Sequence, residues 1–213
     1  NRQIVQTRLP EILFGERKDL EESLEWCDCI LFGPGVGVSE EMKEMLEMVL
    51  KKGKKPLVID ADGLNILSKE NIKLPEKVIL TPHPKEASRL LNCSLEEILN
   101  NMEKSAIEIS KKYNSITVLK SHKTIVTDGK KMYCNNTGNS ALAKAGSGDV
   151  LAGMISGLLA QKMEAFDAAA LGVYLHGFAG DLAQNDLTAY GVLASDTIRY
   201  ISDAIKNYLK KEN

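Results

Sequence analysis

The sequence has few aromatic residues, no excess of one charge and no long apolar run. Aromatic side chains make up 5% of the 213 residues, and the formal net charge is −2 at neutral pH. A charge so close to zero gives no electrostatic reason to expect a nucleic-acid partner. The longest apolar stretch, residues 149–161, is interrupted by glycine and is shorter than the roughly 20 residues of a membrane-spanning helix. We therefore expect small-molecule ligands and neither nucleic acid nor membrane as partner.

Export signals and cysteine-based metal sites are also missing from the sequence. The first residues lack the basic segment and apolar stretch of a signal peptide. The four cysteines (Cys27, Cys29, Cys93 and Cys134) show neither zinc spacing nor a C-x-x-C pair. Cys27 and Cys29 are predicted to lie on one face of a strand, and all four thiols to be reduced and packed as small hydrophobic groups. We predict a cytoplasmic protein and assign no metal-ligating residues.

Short β-rich runs alternate with amphipathic runs along the chain, which is the pattern of an α/β fold. The length favours one domain over residues 1–213. The predicted strands are residues 27–33, 56–60, 77–81, 116–120 and a hairpin over 123–134. The first four are apolar on both faces and should be parallel, and Asp128-Gly129 should form the hairpin turn.

Helices are predicted between the strands and throughout the last third of the chain. The predicted ranges are 39–53, 94–114, 149–161, 165–184 and 194–211. Ser39 and Ser94 should begin the first two helices, and lysines with Gly53 should end the first. His176 lies in an apolar helical run and is predicted to be a core residue.

Unusual segments follow the predicted parallel strands, where ligands bind in open α/β sheets. "GPGVG" (33–37) suits close backbone approach of a flat or anionic ligand, although a plain turn uses the same residues. Asp60 and Asp62 in "DADGLN" are predicted on one side of an extended strand end. They would bind Mg²⁺ through water, or one of them would cap the next helix. Asn65 is a candidate ligand contact.

Two further segments carry a histidine and a lysine. In "TPHPKE" (81–86), prolines on both sides hold His83 in an extended segment, so we predict a hydrogen bond from His83 to substrate rather than proton transfer. In "KSHKT" (120–124), Lys120 and Thr124 are candidate contacts for nucleotide phosphates, although a strand end before a hairpin explains the same residues. His122 is predicted to be exposed.

The strongest pattern is "NNTGNSALAKAGSGD" (135–149), in which a polar, asparagine-rich loop leads to a glycine-rich turn (residues 145–148). Asp149 and an apolar helix follow this turn at once. Small residues leave the first N–H groups of the helix uncovered, and the helix dipole favours an anion there. Beside a bound phosphate an acid would repel, unless it takes a proton from the attacking hydroxyl in phosphoryl transfer. The alternative is a capped helix whose first-turn acid complements the dipole.

These motifs together resemble the ADP- or ATP-dependent NAD(P)H-hydrate dehydratases, a family of the ribokinase-like fold. "GPGVG", "DADGLN", "LTPHPKE", "TGN" before "GSGDVLAG", and "YLHGFAGDLA" occur in the order that the family uses. The resemblance implies a three-layer αβα fold with a mostly parallel central sheet. Relative to the family, the chain is expected to lack the first strand-helix unit.

The resemblance also implies a repair reaction and assigns residues to it. The S epimer of hydrated NADH or NADPH would be phosphorylated by ADP or ATP with Mg²⁺, and loss of phosphate would restore the reduced cofactor. Asp149 would activate the hydroxyl. The implied nucleotide-binding residues are Lys120, Ser121, His122, Lys123, Thr124, Gly146, Ser147 and Gly148. The implied substrate-binding residues are Gly35, Gly37, Asn65, His83, Asn139 and Asp149. Family likeness further suggests a homo-oligomer, for example a tetramer.

The sequence departs from the family pattern at several loop positions. These positions are Lys85, Ser121, Ser140, Ala141, Lys144 and Ala145, and Lys144 would add a phosphate contact. Two alternative functions share the anion-accepting turn: an ATP-dependent kinase of a small alcohol such as a vitamin precursor, and a non-catalytic nucleotide-binding protein. "TPHP" with "DADGLN" favours the dehydratase over the first, and the presence of Asp149 argues against the second.

Overall fold

The computed structural model describes residues 2–52, 54–70, 72, 74–75 and 77–211. Within these residues, six strands form one sheet whose spatial order is the chain order. The strands are β1 (Ile30–Phe32), β2 (Leu57–Ile59), β3 (Val78–Leu80), β4 (Ile116–Leu119), β5 (Ile125–Thr127) and β6 (Met132–Cys134). The helices are α1 (Arg2–Arg8), α2 (Leu20–Trp26), α3 (Glu40–Lys52), α4 (Asp62–Leu67), α5 (Pro84–Leu91), α6 (Leu95–Asn100), α7 (Met102–Tyr113), α8 (Ser147–Ala160), α9 (Ala165–Gly191) and α10 (Ala194–Lys211). Short 3₁₀ helices span Arg17–Asp19 and Ser140–Leu142.

The strand pairing confirms the predicted parallel sheet with a terminal hairpin. β1 to β4 are parallel, β5 is antiparallel to β4, and β6 is antiparallel to β5. In the hairpin turn the Asp128 carboxylate accepts the N–H of Lys130 at 2.8 Å, and Gly129 has a φ of 86°. The strands are shorter than predicted. Cys27 caps the end of α2, so the expectation that Cys27 and Cys29 share a strand face is wrong.

Alternate strand residues face two separate cores because the side-chain period of a strand is two. Leu57, Ile59 and Leu80 pack with the helices that precede β4, whereas Val58 and Ile79 pack with α8 and α9. α10 packs on the outer side of α9. This arrangement confirms the three-layer αβα prediction.

The helices differ from the prediction in several places. Residues 94–114 form two helices, because Asn101 has a φ of −139° and its side chain donates to the carbonyl of Glu97, in place of a continued helix. α9 runs on to Gly191 through a non-helical Thr188 (φ 63°). Helices α1, α2 and α5 were not predicted. α10 begins and ends as predicted. The predicted end at Gly53 lies outside the described residues.

None of the helices in the described part of the chain is both long and apolar enough to cross a bilayer.

Candidate active site

A cavity of about 840 Å³ lies beyond the carboxyl ends of β2, β3 and β4. Each of these strands leads into a residue that lines it: Asp60 after β2, His83 after β3 and Lys120 after β4. The opposite side is formed by the cavity wall (residues 135–147), the start of α8 and the middle of α9. The parallel strand order therefore brings the separate sequence motifs to one place, as expected for an open α/β sheet.

The glycine-rich turn opens α8 at this cavity. Gly146 has a φ of 87°, a conformation that favours glycine, and the Ser147 N–H closes the turn on the Lys144 carbonyl at 3.3 Å. Among the described residues, the N–H groups of Gly148 and Asp149 have no hydrogen-bond partner. Two free donors at the positive end of a 14-residue helix provide the predicted place for an anion.

Asp149 is the third residue of α8, is exposed and lines the cavity. Within the described part of the chain its carboxylate makes no hydrogen bond or ion pair. A carboxylate that is not held by the protein is available to a ligand. This placement suits the proton acceptor predicted from the sequence.

Lys120 lies next to the glycine-rich turn, but its ammonium group is already paired. Its Nζ donates to Asp60 Oδ1 at 2.7 Å and lies 3.9 Å from Glu86 Oε2. A Cβ atom added at Gly148 would lie 3.4 Å from Lys120 Nζ. The absence of a side chain at residue 148 therefore allows Lys120 to lie close to the turn. Both carboxylates are buried, and burial raises the pKa of Glu86. With both acids ionised, the triad carries one net negative charge.

The predicted pairing of Asp60 with Asp62 is wrong. Ala61 has a φ of 49°, and Asp62 already belongs to α4, so strand alternation does not apply. Asp60 faces Lys120, whereas Asp62 Oδ2 accepts the N–H of Gly37 at 2.8 Å. Neither aspartate is the N-cap of α4, which is Ala61.

His83 is the N-cap of α5, and the cap determines which ring nitrogen carries the proton. Nδ1 accepts the N–H groups of Lys85 (3.1 Å) and Glu86 (3.3 Å), and the Glu86 carboxylate accepts the N–H of His83 in return. Because Nδ1 is an acceptor, the neutral ring carries its proton on Nε2. Burial, then the charges of Lys120 and Arg89, lower the pKa of His83. The ring is thus a neutral hydrogen-bond donor that lines the cavity, and its Nε2 lies 3.4 Å from Glu86 Oε1.

α9 holds the cavity wall from behind. Asp181 accepts the N–H of Gly138 at 2.9 Å and the side-chain amide of Asn139 at 2.7 Å. Thr137 donates to the carbonyl of Tyr174 at 2.8 Å. The sequence interpretation missed Asp181, although it lies in the quoted "YLHGFAGDLA".

The structure adds two buried residues to the cavity lining. Glu86 completes the α5 capping box, and Asn135 accepts from the Tyr133 hydroxyl at 2.9 Å. The spacing H-x-x-E before an apolar run was the available signal for Glu86. Asn135 is the first residue of the asparagine-rich loop before the glycine-rich turn, and that loop was the available signal for it.

The remaining predicted residues fall into two groups. Ser121, His122, Thr124, Asn139, Ser147 and Gly148 line the cavity, whereas Gly35, Gly37, Asn65, Lys123 and Gly146 do not. The Asn65 amide oxygen accepts from Arg89 at 2.7 Å. The Thr124 hydroxyl donates to the carbonyl of Ser121 at 3.0 Å. Ligand contacts for both groups stay predictions.

Two other predictions need correction. Lys144 was expected to contact phosphate, but its ammonium donates to the carbonyls of Ala189, Tyr190 and Val192. His176 is buried as predicted, yet it also lines the cavity and lies 3.3 Å from Ser147 Oγ. Burial lowers its pKa to about 4.

Mg²⁺ binding depends on the oxygen ligands that the site offers. No cluster of three or more His, Cys, Asp and Glu side chains suited to a metal occurs in the described ranges. Mg²⁺ bound with nucleotides, however, usually takes only one or two carboxylates, with phosphate oxygens and waters completing the shell. Asp60 and Glu86 line the cavity with buried carboxylate oxygens that can act as metal ligands. When both are ionised, their two negative charges exceed the one positive charge of Lys120. They fit a magnesium ion that arrives with a nucleotide.

The αβα layers, the strand order and the glycine-rich turn at the cavity define a ribokinase-like protein. The model of the NAD(P)H-hydrate dehydratase family matches residues 1–203. The chain belongs to this family, which confirms the resemblance identified from its motifs.

Individual relatives agree with this assignment. The chain is 38% identical to the ADP-dependent (S)-NAD(P)H-hydrate dehydratase of Enterococcus faecalis, over 96% of this chain and 69% of that protein. It is also 38% identical to the bifunctional NAD(P)H-hydrate repair enzyme of Vibrio cholerae, over 93% of this chain but only 40% of the relative's length. The solved ADP/ATP-dependent NAD(P)H-hydrate dehydratase of Bacillus subtilis, co-crystallised with ATP and Mg²⁺, superposes with a TM-score of 0.85 at 28% identity, over 97% and 77% of the two chains.

Proposed function

We propose that the protein is a hydro-lyase that uses ADP to dehydrate the S epimer of hydrated NADH or NADPH. The observation that carries this proposal is the free carboxylate of Asp149, placed beside two unpartnered N–H groups at the start of α8. The names of the Enterococcus faecalis and Bacillus subtilis relatives support the substrate and the nucleotide.

The reaction proceeds in two steps. The substrate hydroxyl attacks the terminal phosphoryl group of ADP, Asp149 takes the hydroxyl proton, and AMP leaves. The phosphate ester is a better leaving group than hydroxide, so phosphate then departs and a ring proton is lost as the double bond re-forms. The balance is hydrated NADH plus ADP giving NADH, AMP and phosphate. ATP would give ADP as the other product.

The residues around the cavity divide between the two ligands. The N–H groups of Gly148 and Asp149 would bind the transferred phosphate, and residues 120–124 would hold the rest of the nucleotide. The neutral Nε2–H of His83 would donate to the hydrated nicotinamide, in agreement with its cap-determined tautomer. Asn139, held by Asp181, would contact the same ligand.

Asp60 and Glu86 would hold the Mg²⁺ ion of this reaction. It would neutralise phosphate charge during transfer. Lys120 pairs with both carboxylates in the protein alone, and its ammonium would turn to the phosphates when the metal binds.

A cytoplasmic location and assembly into a homo-oligomer also belong to this proposal. Exposed apolar side chains at the corner between α9 and α10 support assembly: Tyr190 is 97% exposed and Leu193 60% exposed. Such side chains favour contact with another protein surface.

The decisive experiment mixes the protein with freshly prepared hydrated NADH, Mg²⁺ and either ADP or ATP. Recovery of dihydronicotinamide absorbance and release of phosphate are followed together. Asp149→Asn should lower kcat by about 10²- to 10⁴-fold, because it removes a general base without changing the shape of the side chain.

Asp167→Asn is the matched control, since Asp167 is the third residue of α9 but does not line the cavity. It should retain activity. Equal behaviour of the two variants would mean that Asp149 only complements a helix dipole. Absence of recovery with either nucleotide would refute the proposed reaction.

A further inference from the structure

Lys144 lies in the cavity wall, two residues before Gly146, and the end of α9 holds its ammonium group. Nζ donates to the carbonyl oxygens of Ala189 (3.3 Å), Tyr190 (3.1 Å) and Val192. An ammonium group has three N–H donors, so the three carbonyls use all of them. These carbonyls follow the non-helical Thr188 in the last turn of α9 and at its C-cap. A separate segment of the chain therefore satisfies carbonyl groups that the end of the helix leaves open.

Other polar contacts of the cavity wall are also made with α9. Thr137 donates to the carbonyl of Tyr174, and Ser147 Oγ lies 3.3 Å from His176 Nε2. Lys144 is the last anchor before the glycine-rich turn. Its own carbonyl accepts the N–H of Ser147, so a displacement of Lys144 displaces the turn.

We propose that Lys144 is a positioning residue for the nucleotide phosphate. Its ammonium group fixes the glycine-rich turn against α9 and so keeps the N–H groups of Gly148 and Asp149 directed into the cavity. This inference rests on the proposed function, because it takes the phosphates of ADP as the ligand of the turn. It assigns Lys144 to the alignment of the site rather than to phosphate contact.

The test measures ADP binding by calorimetry in the presence of Mg²⁺, with thermal unfolding in parallel. Lys144→Met keeps most of the aliphatic stem but removes the charge and the donors. It should weaken ADP binding by about tenfold, the size of one hydrogen bond to a charged group. Lys144→Gln, which keeps two donors without the charge, should bind ADP with intermediate affinity.

Controls separate alignment from general stability. Lys206→Met removes an exposed lysine of α10 that pairs with Asp203, and ADP affinity should stay at the wild-type value. Ammonium chloride should not restore ADP binding to Lys144→Met, because a free ion at the three carbonyls is not attached to the turn. Tetramethylammonium chloride, which has no N–H donors, controls for ionic strength and should give the same result.

The outcomes are distinct. Wild-type affinity in Lys144→Met overturns the inference, even if its melting temperature falls, because the lysine then only caps a helix. Full restoration of binding by ammonium overturns it as well, because a cation at the carbonyls would then suffice without any link to the turn. If the wild-type protein itself does not bind ADP, the proposed function fails and the inference fails with it.

Discussion

At the scale of single residues, hydrogen bonds within the protein determine which side-chain atoms of the site are available to a ligand. His83 illustrates this, because its Nδ1 caps α5 and its Nε2–H, 3.4 Å from Glu86 Oε1, is the one ring donor that a ligand could use. Asp149 is the contrasting case, since it lines the cavity and has no partner among the described side chains. In the proposed reaction the first residue would serve both stability and recognition, and the second would serve the chemistry.

The two roles of His83 can be separated by two substitutions. His83→Ala should lower the free energy of unfolding by about 1 kcal/mol, because the helix cap is lost. His83→Asn should retain the cap, because asparagine is a good N-cap residue. Both variants should raise KM for the hydrated cofactor, because both lose the Nε2–H donor. Denaturant unfolding and steady-state kinetics measure the two effects.

The nucleotide provides the control for His83. KM for ADP should change much less than KM for the hydrated cofactor in both variants. A normal KM for the hydrated cofactor in His83→Asn would show that Nε2–H does not contact it.

At the scale of elements, α9 determines where the cavity wall lies. A side chain added at Gly177 would meet Thr137 Oγ1 at 2.3 Å and its carbonyl carbon at 2.7 Å. The helix and the wall can approach this closely only because residue 177 has no side chain. The sequence alone predicts a long helix there but not which glycine contacts the wall.

A matched pair of glycine substitutions tests this contact. Gly177→Ala should lower the free energy of unfolding by about 1–3 kcal/mol, because the added methyl overpacks the wall. Gly153→Ala, on the exposed face of α8 with no atom within 4 Å of the new Cβ, should raise it by about 0.5–1 kcal/mol. Urea unfolding of both variants supplies the measurement.

The change in the free energy of unfolding should have opposite signs in the two variants, and this opposition is the diagnostic result. Equal effects would mean that α9 and the wall are not in close contact in solution. Reduced ADP binding in Gly177→Ala alone would further connect the contact to the site.

At the scale of the whole molecule, burial of His176 links stability to pH. Burial lowers its pKa from the ordinary 6.5 to about 4. Between these values the unfolded chain binds a proton that the folded protein does not. The free energy of unfolding should therefore fall as pH decreases through this window, by on the order of 3 kcal/mol from this residue.

Unfolding by urea at several pH values between 4 and 7 measures this effect, with His176→Gln as reference because it cannot titrate. The difference in free energy between wild type and variant should shrink or reverse as pH falls. A constant difference across the window would contradict the low pKa of the buried ring.

Much of the fold could be predicted from local pattern. Apolar runs, hairpin residues and helix caps such as Ser94 depend on neighbours in the chain, so the parallel strands, the hairpin and α10 were predicted correctly. The break at Asn101 was missed because a single side chain competes with the helix there. Helices α1, α2 and α5 were missed because short helices have weak periodicity.

By itself, the sequence determined the parallel strands, the meeting of their motifs at the carboxyl edge of the sheet and the position of Asp149 at a helix start. These follow from periodicity, glycine and the rules of parallel sheets. Only the tertiary structure decided that Lys120 pairs with Asp60, 60 residues away, and that Lys144 binds carbonyls up to 48 residues away. Such contacts depend on how the layers pack, and a charged side chain in a sequence does not specify which distant partner the packing will bring to it.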